Sequence, residues 1–209
     1  MPGYHFSSSE PLNTSAFVTP IVMRMLGSTG AKSVLDIGCG NGALCGELAM
    51  NGYAVTGYDP SETGIALARQ RYPKIPFHRI GIDADPRRFE PNDLDAVVAT
   101  EVIEHLYEPS ALLRFAEKKM ASNATLILST PYHGYWKNLA LSIAGKWDFH
   151  LGPLWDGGHI KFWSRATLTA LLAREGFEVL QFVGAGRIPF LWKSMVLLAR
   201  KVPGAVADK

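Results

Sequence analysis

The chain has 209 residues, 47% hydrophobic and 19% charged, with a formal net charge of +2, which is enough for one full hydrophobic core and short for two. The small charge and the absence of a basic arm argue against a nucleic-acid partner, and no run of about 18 apolar residues exists to span a bilayer. MPGYHFSSSEPLNTSAF lacks the basic and apolar regions of a signal peptide, and Cys39 and Cys45 form no C-x-x-C pair, so a reduced, cytoplasmic protein with one domain over residues 1–209 is expected.

Asn13 to Leu26 is expected to form a covering helix that Pro20 interrupts or starts, within an N-terminal covering segment over 1–30. From Lys32 a regular alternation begins. SVLDIG reads as a buried strand, GALCGELAMNG as a helix closed by Gly52, and AVTGYD as a second strand. SETGIALARQRYP is a second helix with Ser61 as its cap. PFHRIGI and DAVVAT give strands three and four, PSALLRFAEKKM a helix opened by Pro109, and ATLILST strand five. Apolar strands alternating with helices imply an α/β fold with a mostly parallel sheet covered on both faces.

After Pro131 the rhythm breaks. Residues 131–163 hold eight aromatics, including four of the five tryptophans. Trp136, Leu139, Ala140 and Ile143 stand at i, i+3, i+4 and i+7, which predicts a short amphipathic helix. SRATLTALLAREGF returns to a helix stopped by Gly176. EVLQFVGAG and KSMVLLAR read as two last strands, close enough across the link at Pro189 to be neighbours, before a frayed VPGAVADK tail.

LDIGCGNGAL lies where the first strand turns into the first helix. Gly38, Gly40 and Gly42 permit tight turning and close backbone approach, and the helix start offers unpaired N–H groups. Asp59 ends strand two, where a carboxylate can accept from both ribose hydroxyls. Gly38, Gly40 and Ala43 also satisfy the dinucleotide fingerprint. Asp36, however, suits a cationic ammonium and repels a pyrophosphate. The loop lacks the Lys-Ser/Thr ending of an ATP-binding loop.

Asp36, Gly38, Gly40 and Gly42 together resemble the D/E-x-G-x-G-x-G motif of the class I S-adenosylmethionine-dependent methyltransferases, and the likeness extends over about residues 30–200. It implies a Rossmann-like fold with seven strands, antiparallel at its end. It further implies that Asp36 and the glycines hold the methionine end of S-adenosylmethionine, Asp59 the ribose and Asp83 the adenine amino group. Asp85 competes with Asp83 for that place.

DAVVAT delivers EVIEHLYEP to the carboxyl edge of the sheet. On a helical turn, Glu101, Glu104 and His105 would share one face, and two close carboxylates repel unless a cation or protons lie between them. With His159 from DGGHIKFWS, they would make an N/O ligand set suited to Mg²⁺, Mn²⁺ or Zn²⁺, with His150 and His133 as weaker fourth ligands. E-x-x-E-H with a later histidine is similar to the ubiquinone-biosynthesis O-methyltransferases, and to the small-RNA 3′-terminal 2′-O-methyltransferases. In both, such residues bind a metal beside the acceptor hydroxyl. The threonine usual before that histidine is absent here. The stretch also occurs in relatives without metal, where Glu101 shapes the cofactor pocket and His105 packs.

The aromatics of 131–163 could wall a pocket for a flat or greasy acceptor as a substrate cover. With Lys137 and Lys146 flanking apolar positions they could rest on a bilayer as a peripheral contact, or seal the domain or a dimer; monomer and homodimer both stay open. The expected activity is methyl transfer from S-adenosylmethionine to an oxygen of a small hydrophobic, aromatic or quinone-like acceptor. His159, Glu101 and His105 carry the chemistry, His159 as ligand or base. N- or C-methylation without metal and a non-catalytic binding protein are the alternatives, with a small NAD-dependent oxidoreductase behind them.

Overall fold

The structure is a computed structural model that describes Phe6, residues 14–154 and residues 158–202. Seven strands, β1 (Ser33–Ile37), β2 (Ala54–Asp59), β3 (Phe77–Arg79), β4 (Leu94–Thr100), β5 (Met120–Pro131), β6 (Phe177–Ala185) and β7 (Ser194–Lys201), form one sheet. Its order is β3-β2-β1-β4-β5-β7-β6. The β1, β2, β3, β4 and β5 neighbours pair in parallel. Only β7 runs against its neighbours, inserted between β5 and β6. This is the expected doubly wound, Rossmann-like architecture with an antiparallel final strand.

Alternate residues of the central strands feed two separate cores, as side chains on a strand point to opposite faces. Val34, Val98, Ile127 and Val196 pack under α1 (Ser15–Gly27), α2 (Ala43–Met50) and α3 (Glu62–Arg71). Leu35, Val97, Leu126 and Leu197 pack under α4 (Pro109–Lys119) and α7 (Arg165–Arg174). The fully apolar strands follow from burial on both faces. α1 buries Val18, Ile21, Val22, Met25 and Leu26, a helical stripe, and runs unbroken through Pro20. Ser61 and Ser164 cap α3 and α7 through their side chains, and Ser164 forms a reciprocal capping box with Thr167.

Several boundaries move. The third strand stops at Arg79, because Ile80 to Asp85 turn away after Ile80 N donates to Asp59 O at 3.1 Å. Glu101 to Leu106 is not an α-helical turn: Glu101 adopts φ 55°, and a 3₁₀ turn spans only Ile103–His105. After β5 come α5 (Tyr135–Ile143) and a short α6 (Trp147–Leu151) that the pattern did not announce. The aromatic Trp155, with Asp156 and Gly157 of the DGGH stretch, and most of the 202–209 tail lie outside the described residues. Among the described residues, no helix is long and apolar enough to cross a membrane.

Candidate active site

The order β2-β1-β4 places the switch point of the winding between β1 and β4, where open α/β sheets form their ligand crevice. The glycine loop leaves β1 on one side of that crevice, and the Glu101 turn leaves β4 on the other. Gly38, Gly40 and Gly42 adopt φ 78°, 52° and 77°, left-handed values that cost other residues roughly 1–2 kcal/mol. The loop is tied to β2: Gly38 N and Cys39 N donate to Tyr58 O at 2.7 and 3.1 Å. Gly40 N donates to Asp59 Oδ2 at 2.8 Å, and Ser61 N to Asp59 Oδ1 at 2.7 Å. Each Asp59 oxygen keeps acceptor capacity for a further donor.

Asp36 is buried. Cys45 Sγ donates to its Oδ2 at 3.2 Å, while Oδ1 has no hydrogen-bond partner. Burial, and to a lesser degree the charge of Asp59, push its pKa up to about 7 against the lowering effect of the Cys45 bond. A buried carboxylate oxygen left unsatisfied beside a glycine cradle fits a ligand ammonium. Side chains on these glycines would fill the cradle: a Cβ on Gly38 would strike Val102, and one on Gly40 would lie 2.5 Å from Phe6 Cζ. These residues suit S-adenosylmethionine. Asp83 is exposed in the turn after β3, and Asp85 instead accepts from Arg87 N at 3.1 Å, capping a 3₁₀ turn.

Glu101, Glu104, His105 and His159 divide into two groups. Because Glu101 stands outside the 3₁₀ turn, its carboxylate accepts from Ser129 Oγ at 2.7 Å and Ser194 Oγ at 3.0 Å. Its N–H donates to Ser129 O at 3.1 Å. These bonds hold a left-handed glutamate. Burial raises its pKa and the two hydroxyls oppose that. Glu104, His105 and His159 converge instead, offering one ligand atom each within 4.8 Å of one another. Glu101 is not in that group, which corrects the expectation that it shares a face with Glu104 and His105.

Glu104 is 1% exposed; Thr130 Oγ1 donates to its Oε2 at 3.0 Å and its Oε1 has no hydrogen-bond partner. Burial first, then the charge of Glu101, push its pKa well above the usual carboxylate range. His105 Nδ1 pairs with Gly158 O at 3.2 Å. A carbonyl only accepts, so Nδ1 carries a proton, and Nε2 stands 3.9 Å from Glu104 Oε1. His159 is lowered to about 4 by burial and by His105, His133 and Lys137, so it is a neutral imidazole across the physiological range. Glu104 O accepts from Ile160 N and Lys161 N, both at 3.0 Å, which fastens the distant His159 segment to the turn. An unsatisfied carboxylate oxygen and two imidazoles that converge on it suit a divalent cation. His133 and His150, the weaker ligand candidates, pair with each other through Nε2 atoms 3.4 Å apart.

Ser129, Thr130 and Ser194 were missed by the sequence reading. The polar Ser-Thr ending of the otherwise apolar ATLILST was the available signal for the first two. Ser194 required knowledge that β7 inserts beside β5.

Residues 13–182 match the family described as Methyltransferase domain. The chain belongs to the methyltransferase-domain family. The ubiquinone biosynthesis O-methyltransferase of Bradyrhizobium diazoefficiens is 34% identical over 176 residues, covering 80% of this chain and 67% of that one. The enzyme of the same name from Hydrogenovibrio crunogenus is 28% identical over 164 residues, covering 77% and 68%. Magnesium protoporphyrin IX methyltransferase from Synechocystis PCC 6803, solved with bound SAH, superposes with TM-score 0.64 at 24% identity, covering 90% and 82% of the two chains. The methyltransferase domain of bacterial CtHen1-CN gives TM-score 0.67 at 25% identity, covering 90% and 100%. This chain is thus a S-adenosylmethionine-dependent methyltransferase.

If Asp36 receives the ligand ammonium as a carboxylate, binding must displace its proton below pH 7. The affinity for S-adenosylhomocysteine, measured by calorimetry, is therefore expected to weaken by up to tenfold per pH unit below about 7. Asp36→Asn should bind more weakly and lose that slope; an unchanged slope in the variant would assign the proton elsewhere.

Proposed function

We propose that this methyltransferase alkylates an oxygen of a small hydrophobic, aromatic or quinone-like acceptor. The carrying observation is the convergence of Glu104, His105 and His159 beside Glu101, at the same sheet edge as the glycine loop. The relatives named ubiquinone biosynthesis O-methyltransferase support the oxygen acceptor. When bound, S-adenosylmethionine supplies a methyl group already activated on a sulfonium. The protein then has to hold its ammonium and ribose, through Asp36, the glycines and Asp59, with Asp83 at the adenine edge. It must also align the acceptor oxygen in line and exclude water.

The acceptor hydroxyl has to lose its proton near neutral pH. Glu104, His105 and His159 would hold a divalent cation, Mg²⁺, Mn²⁺ or Zn²⁺, whose charge lowers a bound hydroxyl's pKa. Glu101, held by Ser129 and Ser194, is placed to shape the pocket. Without a cation, His159 is already neutral and serves as the base. Radiolabelled methyl transfer to catechol-type phenols should fall in EDTA and return with Mn²⁺. His159→Ala should keep S-adenosylhomocysteine affinity and lose about 10²-fold or more in turnover. Full activity in EDTA with a His159→Ala defect selects the base role; transfer to amine or carbon acceptors alone would overturn the oxygen assignment. Because His159 sits at about 4, its ionisation should add no limb to the rate profile between roughly pH 5 and 8.

The segment 131–163 is read as the acceptor's cover, within a single domain that acts in the cytoplasm. His133 N donates to Trp163 O at 3.1 Å, which closes its two ends on each other. Its outer surface presents Trp136, Ile143, Phe149 and Leu154, the last three 80%, 92% and 99% exposed, with exposed Lys146 among them. Such a surface suits peripheral contact with a bilayer that holds a lipid-soluble acceptor. Co-sedimentation with phosphatidylglycerol vesicles should drop severalfold in a Phe149→Asp, Ile143→Asp variant; equal sedimentation would remove the membrane from the proposal.

A further inference from the structure

α5 is turned inside out. Its apolar stripe, Trp136, Leu139 and Ile143, is exposed, and the residue it buries is Lys137, at 8% exposure. Lys137 and Lys146, expected together at a bilayer surface, divide: Lys146 is exposed and Lys137 faces inward. Lysine is almost never buried without a partner. Lys137 Nζ donates to Lys193 O at 3.1 Å, which uses one of the three N–H groups of an ammonium. Among the described residues, no carboxylate lies within ion-pair distance of it.

The surroundings are those of the reaction site. Glu101 is the carboxylate whose charge reaches Lys137, and Lys137 in turn acts on Glu101, His133, His150 and His159. Glu101 has both oxygens engaged by Ser129 and Ser194 hydroxyls. The three histidines are held on the neutral side by burial first, and by Lys137 among the further causes. Burial lowers the Lys137 pKa to about 8, against the raising charge of Glu101. The ammonium is thus still the major form at neutral pH and keeps donors to spare beside the group that would receive the acceptor.

We propose that Lys137 seats an anionic oxygen of the methyl acceptor. An ionised phenolic hydroxyl and a ring carboxylate share that chemistry, and both fit an ammonium that has two remaining donors. In a water-poor site a fixed cation stabilises such an oxygen far more than in bulk water. The inference rests on the reading that the acceptor enters beside Glu101, and it adds what part of the acceptor is recognised.

The test reads binding, not turnover. Nitrocatechol changes absorbance when it ionises, so its ionisation on the protein can be followed directly. Titrations with saturating S-adenosylhomocysteine compare wild type, Lys137→Met and Lys137→Arg at equal metal content, alongside catechol and a dihydroxybenzoate. In wild type, bound nitrocatechol should ionise at least one pH unit lower than in solution, or the dihydroxybenzoate should bind at least tenfold tighter than catechol. The first result identifies a phenolate and the second a carboxylate. Lys137→Met should abolish whichever is seen, with S-adenosylhomocysteine affinity and melting temperature near wild type, and Lys137→Arg should restore part of it. Neither effect in wild type, or the same effect in a folded Lys137→Met, would overturn the proposal and leave Lys137 as a counter-charge to Glu101. Failure of methyl transfer to every hydroxyl acceptor would sink the oxygen-acceptor reading without altering these absorbance and affinity results.

Discussion

The strand-to-helix turn at Gly38–Gly42 is the constraint on which the rest depends. Three left-handed glycines at alternate positions reverse the chain at the carboxyl edge of β1, and two backbone bonds to Tyr58 O lock that reversal to β2. The same turn leaves Asp36 inside the protein with an oxygen unsatisfied, and it brings Gly40 N onto Asp59. A side chain at any of these glycines would demand both a disfavoured backbone and space already held by Val102, Phe6 or Phe77. The proposed cofactor site is thus built mainly from backbone, with two carboxylates added.

Across the switch point the arrangement is chiefly side chain, and carboxylates stand on both sides of the crevice. Asp36, Asp59, Glu101 and Glu104 all have carboxyls raised by burial. Carboxyls perturbed in this way concentrate at functional sites. The fold by itself does not dictate methyl transfer: a [4+2]-cyclase, SpnF, superposes with TM-score 0.71 at 16% identity. What ties this chain to its chemistry is the family match together with the donors at the crevice.

The sheet and the cofactor half were legible because their signals are local. A buried strand, a glycine turn and a carboxylate at the end of the next strand are each set by neighbours in sequence, and Asp36, Gly38, Gly40, Gly42 and Asp59 came out together at the crevice. The acceptor half was less legible, since its geometry depends on contacts between distant segments. E-x-x-E-H was read as one helical face, yet Glu101 found better partners in Ser129 and Ser194, and taking them needed φ 55° and broke the helix. His159 lies near Glu104 and His105, but the bonds that bring its segment there run from Ile160 N and Lys161 N to a carbonyl, and backbone groups leave no trace in composition.

α5 shows why periodicity has a blind side. A stripe at i, i+3, i+4, i+7 identifies a face but not the direction in which that face looks. Here the inward lysine donates to Lys193 O, and the apolar stripe lies on the opposite, exposed side. One short helix then presents grease on its outer side and a cation on its inner side. A molecule with an apolar tail and an anionic, oxygen-bearing head would find both of its ends matched across that helix. The tail would favour the exposed Trp136–Ile143 surface or a bilayer against it, and the head would favour Lys137. Neither a wholly apolar nor a wholly polar acceptor would gain from both sides, so, on the proposal that Lys137 seats the acceptor, the inversion of α5 would favour amphiphiles.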